Sequence, residues 1–178
     1  MELKKAVEIP HRVIPIELDG VESPILRSGI AYWTSLCRGR PHPSRPELDP
    51  HGLKPILANT MLLQVVGECE DYEYRIVGDA HVQIHAFSQF PTRLSQLDEL
   101  LPGYAAILKP LYDRVARLKA PFAMRGIIER PDGFPKLTAS ESVFLPLGPN
   151  AQTVDHILNF SVYQPTDRME DHPAKAVR

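Results

Sequence analysis

The sequence predicts an α+β domain with a five-stranded antiparallel sheet, helices packed on one face of that sheet and an additional N-terminal helix. Three observations lead to this prediction. The apolar run at 60–66 and the alternating run at 72–77 are separated by a short turn, as in a β-hairpin. The last third of the chain contains three more strand patterns, at 122–130, 136–147 and 154–163. Helical patterns fill the segment between the two groups, and this order is typical of a sheet covered by helices.

The N-terminal helix is predicted from its apolar spacing and its capping residues. From Ile25 onward, apolar side chains recur every three or four residues as far as Cys37. Ser23 can cap the first turn, in which Pro24 is well tolerated. Gly39 follows the pattern and is suited to ending the helix.

The segment between the hairpin and the last three strands is predicted to be helical throughout. Brief apolar patterns at 78–101 predict short helices instead of strands. A longer helix is predicted at 104–119, where the apolar side chains form one stripe. Pro110 lies inside that helix and predicts a kink or a restart.

The predicted domain occupies residues 25–163. Residues 1–24 are interpreted as an N-terminal arm, which contains either a short edge strand or an extended segment between prolines. Residues 164–178 are interpreted as a polar C-terminal tail.

Composition excludes several classes of protein. The chain has 178 residues, enough for one domain of ordinary size, and it is 43% hydrophobic and 24% charged. A net charge of −2 gives no broad attraction to nucleic acid or to anionic membranes. No apolar run approaches the roughly 20 residues that a helix needs to span a bilayer, and the N-terminus lacks the apolar core of a secretory signal. We therefore expect a cytoplasmic protein whose partners include neither nucleic acid nor a membrane.

Short motifs occur along the chain in a fixed order: Tyr32-Trp33, Gly39-Arg40, Asp49-Pro50, Tyr74-Arg75-Ile76-Val77-Gly78, Leu97-Asp98-Glu99-Leu100, Arg130-Pro131-Asp132-Gly133 and Leu145-Pro146-Leu147. In these motifs and their spacing, residues 25–163 resemble a bacterial family of PAS-like domains once grouped as a domain of unknown function. The resemblance implies a PAS-type fold that encloses a small pocket, and a role in sensing or protein interaction. It implies no particular ligand. The chain departs from the family pattern at Asp79, where Thr is usual, and at 91–94, where a Thr-Gly pair is expected.

The pocket implied by this resemblance has a predicted lining. The segments that enclose a PAS pocket contribute the apolar and aromatic residues Val82, Phe87, Phe90, Leu94, Leu108, Leu111, Tyr112, Met124 and Phe144. Such a set suits a small, flat, apolar ligand, for which Tyr112 or His85 would supply a polar contact. The alternative is that the same side chains fill an ordinary hydrophobic core.

Two histidines are weak candidates for metal or haem ligands. His81 and His85 are four residues apart on a predicted short helix, so both rings can face the same side. PAS domains that bind haem use a histidine from their helical section, which supports the idea by resemblance alone. The spacing of a zinc site is absent. The alternative is that both histidines are solvated or make hydrogen bonds inside the core.

The N-terminal helix carries the predicted partner or dimer surface. Tyr32 and Trp33 lie on it, and its apolar face is expected to continue beyond the core of the domain. Arg38 and Arg40 follow in a cationic loop that can bind a phosphate or an acidic partner. The alternative for Arg40 is an ion pair with the domain's own carboxylates that fixes this irregular loop.

Three functions remain open at this stage. The first is a sensory module without catalytic activity, which binds a small apolar ligand or a signalling partner and acts through that partner or its own dimer. The second is a ligand-free interaction scaffold. The third is a small enzyme with Asp79 and His81 as an acid–base pair. Nucleophile-elbow, phosphate-loop and dinucleotide motifs are all absent, so we expect no enzyme.

Overall fold

A computed structural model describes residues 13–85, 89–128 and 138–165. Within these residues the chain forms one antiparallel sheet with the strands β1 (Val13–Ile16), β2 (Thr60–Val66), β3 (Asp71–Val77), β4 (Phe122–Ile128), β5 (Thr138–Leu147) and β6 (His156–Pro165). The spatial order of the strands is β1-β4-β5-β6-β2-β3. The described helices are α1 (Pro24–Cys37), α2 (Pro50–Leu53), α3 (Asp79–His85), α4 (Leu94–Leu100) and α5 (Tyr104–Leu118). The predicted α+β class and PAS-like architecture are confirmed.

The sheet has one strand more than predicted. The segment Val13–Ile16 pairs antiparallel with β4, with Val13 opposite Gly126 and Ile16 opposite Ala123. The sequence alone is compatible with either a strand or an extended arm here, because four residues interrupted by Pro15 give little periodicity. Proline is tolerated here because β1 lies at the sheet edge, where one side of the strand has no ladder to complete.

The predicted helix boundaries agree closely with the structure. The Ser23 hydroxyl accepts a hydrogen bond from the Leu26 amide and so caps α1. The helix ends after Cys37, where Arg38 and Gly39 both adopt positive φ. Pro110 lies inside α5, which nevertheless continues as one helix. The turn predicted at 131–133 lies outside the described residues.

One face of the sheet packs against α4 and α5. Tyr72 and Met124 from the sheet and Leu97, Leu111 and Val115 from the helices are buried together in this layer. The apolar stripe of α5 follows the helical period and therefore meets the sheet along its whole length. This layer contains the candidate site.

The opposite face packs against α1, so helices cover both faces instead of one. Leu26 and Trp33 of α1 are buried with Val143, Leu145 and Phe160 of the sheet. Trp33 is only 6% exposed, and its indole N–H donates to the Pro146 carbonyl at 2.9 Å. Trp33, expected on a partner surface, therefore packs against the domain's own sheet.

Several of the motifs quoted above have structural roles. The Tyr32 hydroxyl accepts from the Asp49 amide at 2.7 Å, which holds the start of α2 against α1. Arg40 donates to Glu47 at 2.6 Å and to the Leu36 carbonyl at 2.9 Å. The guanidinium of Arg40 lowers the pKa of Glu47 to about 2. These contacts fix the irregular loop, as the ion-pair alternative for Arg40 predicted.

No helix in the described part of the chain is both long and apolar enough to cross a membrane.

Gly78 supplies a test of the packing between β3 and the turn that precedes β2. A Cβ atom at Gly78 would lie 2.3 Å from the Leu57 carbonyl oxygen, whereas nothing lies within 4 Å of a Cβ atom at Gly20. We expect Gly78→Ala to lower the free energy of unfolding by about 1–3 kcal/mol because of this overlap with backbone. Gly20→Ala should change it little. Urea unfolding of both variants measures the difference, and equal stability would contradict the packing described here.

Candidate functional site

A small cavity lies between the sheet and α5. Its volume is about 30 Å³, room for roughly one water-sized molecule. Its apolar walls are contributed by Met61, Phe90, Leu108, Leu111, Met124 and Phe144. Aromatic and methionine side chains adapt easily to different contents, since rings offer flat faces and methionine is flexible.

The remaining lining is polar but uncharged. It consists of the aromatic residues Tyr74, His85, Tyr104, Tyr112 and Tyr163 and of Ser142, Asn159 and Ser161 on the strands. Ser142 and Ser161 face each other across β5 and β6, with their hydroxyl oxygens 2.8 Å apart. The Asn159 amide donates to the Val143 carbonyl at 2.9 Å. The floor of the cavity is thus a fixed polar patch in an apolar layer.

His81 is fully buried next to this cavity, and both of its ring nitrogens are engaged. Nε2 lies 3.0 Å from the Asn59 carbonyl oxygen, and Nδ1 lies 2.8 Å from the Tyr163 hydroxyl. A carbonyl oxygen only accepts, so Nε2 carries the proton and Nδ1 accepts from Tyr163. Burial lowers the pKa of His81 to about 4, so the ring is neutral at pH 7.

His85 continues the same chain of hydrogen bonds. Its Nδ1 lies 2.7 Å from the His81 carbonyl oxygen, and its Nε2 lies 2.9 Å from the Tyr104 hydroxyl. By the same reasoning Nδ1 carries the proton and Nε2 accepts from Tyr104. We call Asn59, His81, His85, Tyr104 and Tyr163 the histidine relay.

The histidine relay argues against metal or haem ligation by His81 and His85. A metal needs a free lone pair on an imidazole nitrogen, and each accepting nitrogen already receives a tyrosine proton. In the residues that the structure describes, no three His, Cys, Asp or Glu side chains gather as a metal site. The core-satisfied alternative for the two histidines fits this geometry.

Tyr74 stands out among the lining residues, because its hydroxyl oxygen is buried and makes no hydrogen bond. The Tyr112 hydroxyl influences it electrostatically, but the two do not reach hydrogen-bond geometry. Burial raises the pKa of Tyr74, of Tyr112 and of Tyr163 above the ordinary value. All three phenols therefore keep their protons at neutral pH, and that of Tyr74 remains available to an acceptor.

Most of the predicted pocket residues surround the cavity. They are His85, Phe90, Leu108, Leu111, Tyr112, Met124 and Phe144, and their role as a ligand site stays a prediction. Leu94 is buried in the same layer without lining the cavity, and Val82 is half-buried on α3. Phe87 lies outside the described residues.

Sequence reasoning missed half of the cavity lining. The missed residues are Met61, Tyr74, Tyr104, Ser142, Asn159, Ser161 and Tyr163. A signal for some of them existed: Ser140, Ser142, Asn159 and Ser161 are small polar residues at alternate positions of otherwise apolar strands. Such alternation places polar side chains on one face of the sheet.

The acid–base pair considered for an enzyme is not assembled. Asp79 is exposed at the start of α3. His81 is buried and directs its ring nitrogens to Asn59 and Tyr163 instead. The two side chains therefore share no hydrogen bond through which a proton could pass.

The histidine relay predicts a specific pH dependence of stability. The folded-state pKa of His81, about 4, lies below its ordinary value of 6.5, so the unfolded chain binds more protons between these values. The free energy of unfolding should fall as the pH is lowered from 6.5 to about 4, by up to about 3 kcal/mol from this group. His81→Gln should be less stable at pH 7 and have a flatter profile in this range.

The exposed His51 provides the matched control, since His51→Asn should keep the wild-type slope. Urea unfolding at several pH values measures all three proteins. A wild-type profile as flat as that of His81→Gln would contradict the buried, neutral state of His81.

Comparison with known proteins agrees with this architecture. A sequence model of the family described as PAS domain matches residues 21–161, which include α1, β2–β5 and every cavity-lining residue except Tyr163. No curated protein and no solved structure matches the chain. The matched residues make up well over half of the chain, and a PAS domain indicates a sensory or interaction module. The resemblance noted in the sequence is confirmed, and the chain belongs to the PAS domain family.

Proposed function

We propose that this protein is a sensory module that binds a small apolar ligand in the cavity between the sheet and α5, and that it has no catalytic activity of its own. The observation that carries the proposal is a small chamber with flat aromatic and methionine walls and a fixed polar floor. Binding sites for small molecules combine mostly apolar walls with a few well-placed polar groups.

The histidine relay provides a route by which the contents of the cavity can affect the rest of the domain. Tyr104 and Tyr163 line the cavity and also hold His85 and His81. A ligand that moves either tyrosine changes a hydrogen bond to α3, and α3 is in turn bonded to the Asn59 carbonyl. Such a contiguous network is a physical means of coupling a buried site to the surface.

The output of the module would be a change in contact with a partner protein or a second copy of the chain. Arg38 is exposed at the end of α1. Among the described residues, its side chain makes no hydrogen bond or ion pair of the kind that Tyr32 and Arg40 make. Tyr32 and Arg40 take part in contacts within the domain, through Asp49 and Glu47. The C-terminal end of α1 therefore remains the proposed region of partner contact.

A ligand-free interaction scaffold is the second candidate. The cavity volume of about 30 Å³ is roughly a tenth of the smallest ordinary ligand pocket, for which about 300 Å³ is typical. A chamber of this size is close to a filled core. The two functions differ in whether the cavity opens to admit a ligand.

Native mass spectrometry with an absorption spectrum distinguishes them on gently purified protein. A sensory module should carry an additional bound mass, whereas a scaffold should show the mass of the chain alone or of its oligomer. We expect Leu111→Phe to remove the bound mass, because the larger ring fills the cavity that Leu111 lines.

Leu118→Phe is the matched control on the same helix. Leu118 is 44% exposed, so a larger ring there should leave the bound mass unchanged. Wild-type protein without any bound mass, in repeated preparations, would favour the scaffold. Loss of the mass in both variants would show that the cavity is not its site.

A further inference from the structure

The lining of the cavity selects against charged ligands. No Asp, Glu, Lys or Arg stands among the described residues that line it. Its histidine, His85, has both ring nitrogens engaged, Nδ1 with the His81 carbonyl oxygen and Nε2 with the Tyr104 hydroxyl. An ionised group would lose its hydration here without gaining a counter-charge. The ligand is therefore expected to be uncharged.

The hydroxyl of Tyr74 favours a ligand that carries a hydrogen-bond acceptor. Tyr74 lines the cavity, its hydroxyl oxygen is buried without a hydrogen bond, and a buried unpaired donor is unfavourable. A phenol donates a hydrogen bond more strongly than it accepts one. A ligand oxygen that accepts this proton would restore the missing bond, so the complementary group is a carbonyl oxygen.

Phe90 is the lining residue whose side chain is best placed to be displaced. Every other lining residue belongs to a helix or strand, whereas Phe90 lies in the connection between α3 and α4 and is half-exposed. Its ring packs edge-on against Tyr74 at 5.1 Å and against His85 at 5.6 Å between ring centroids. A displaced Phe90 would leave a slot the size of one aromatic ring beside the Tyr74 ring.

We propose that the ligand is an uncharged molecule about the size of one aromatic ring that carries a carbonyl oxygen, and that it takes the place of the Phe90 ring and accepts a hydrogen bond from Tyr74. This inference rests on the proposed sensory function and specifies its ligand class. The ring makes edge-on contacts with Tyr74 and His85, as Phe90 does in the cavity, and the carbonyl oxygen reaches the Tyr74 hydroxyl.

Three probes of nearly equal shape test this ligand class on the full chain by calorimetric titration at pH 7. Acetophenone has the ring and the carbonyl, ethylbenzene has the ring alone, and benzoate has the ring with a negative charge. We expect acetophenone to bind about tenfold more tightly than ethylbenzene, the worth of one buried hydrogen bond. Benzoate should bind at least about tenfold more weakly than acetophenone, because its charge finds no partner.

Variants test whether the preference for acetophenone over ethylbenzene comes from the Tyr74 hydroxyl. Tyr74→Phe should bind both neutral probes equally, and its melting temperature should equal or exceed that of the wild type, because it removes an unpaired hydroxyl. Tyr72→Phe is the matched control. Its hydroxyl donates to Asp113 at 2.6 Å outside the cavity, so the tenfold preference should persist. Phe90→Ala should bind acetophenone more tightly than the wild type, because the slot is already open.

Other outcomes overturn the inference in distinguishable ways. Equal binding of benzoate and acetophenone, or an unchanged preference in Tyr74→Phe, would refute the ligand class and leave the cavity as a ligand site. Failure of Phe90→Ala to bind either neutral probe would refute the slot. If native mass spectrometry nevertheless finds a bound mass that Leu111→Phe removes, the sensory function stands with a ligand of another class. If it finds none, both proposals fail.

Discussion

Two buried histidines tie several elements of this domain together by hydrogen bonds. His81 is fully buried, and burial lowers its pKa to about 4, so its ring is neutral at pH 7. Both ring nitrogens of His81 and of His85 are engaged in hydrogen bonds. The helix that carries them has seven residues and is too short to be stable alone. Its position therefore depends on Asn59, Tyr104 and Tyr163, which lie on three different elements.

The same hydrogen bonds connect the structure to the proposed function. Tyr104 and Tyr163 are walls of the cavity and partners of the histidines at once. The content of the cavity and the position of α3 are therefore physically linked. Tyr74 lines the same chamber and its buried hydroxyl is unpaired, which is unfavourable. The proposed sensory function needs both features. Filling the cavity must be favourable, and a lining residue must be hydrogen-bonded to an element that can change position, here α3.

The sequence predicted local features well and long-range ones poorly. The ends of α1 followed from Ser23 and Gly39, because capping and positive φ are local requirements. The pairing of β1 with β4 and the burial of Trp33 against Pro146 join residues more than one hundred positions apart, and periodicity in one segment says nothing about its partner. The alternation of small polar residues indicates one polar face on each of β5 and β6, but for the same reason it does not show that Ser142 pairs with Ser161.

Nitrogen NMR of the histidine side chains at neutral pH tests the histidine relay most directly. The structure predicts that His81 is a neutral ring with its proton on Nε2 and that His85 carries a proton on Nδ1. His81 should appear as a single tautomer that does not titrate near pH 6.5. Rapidly exchanging tautomers, or protonation of His81 near pH 6.5, would contradict the histidine relay and the coupling between cavity and helix that depends on it.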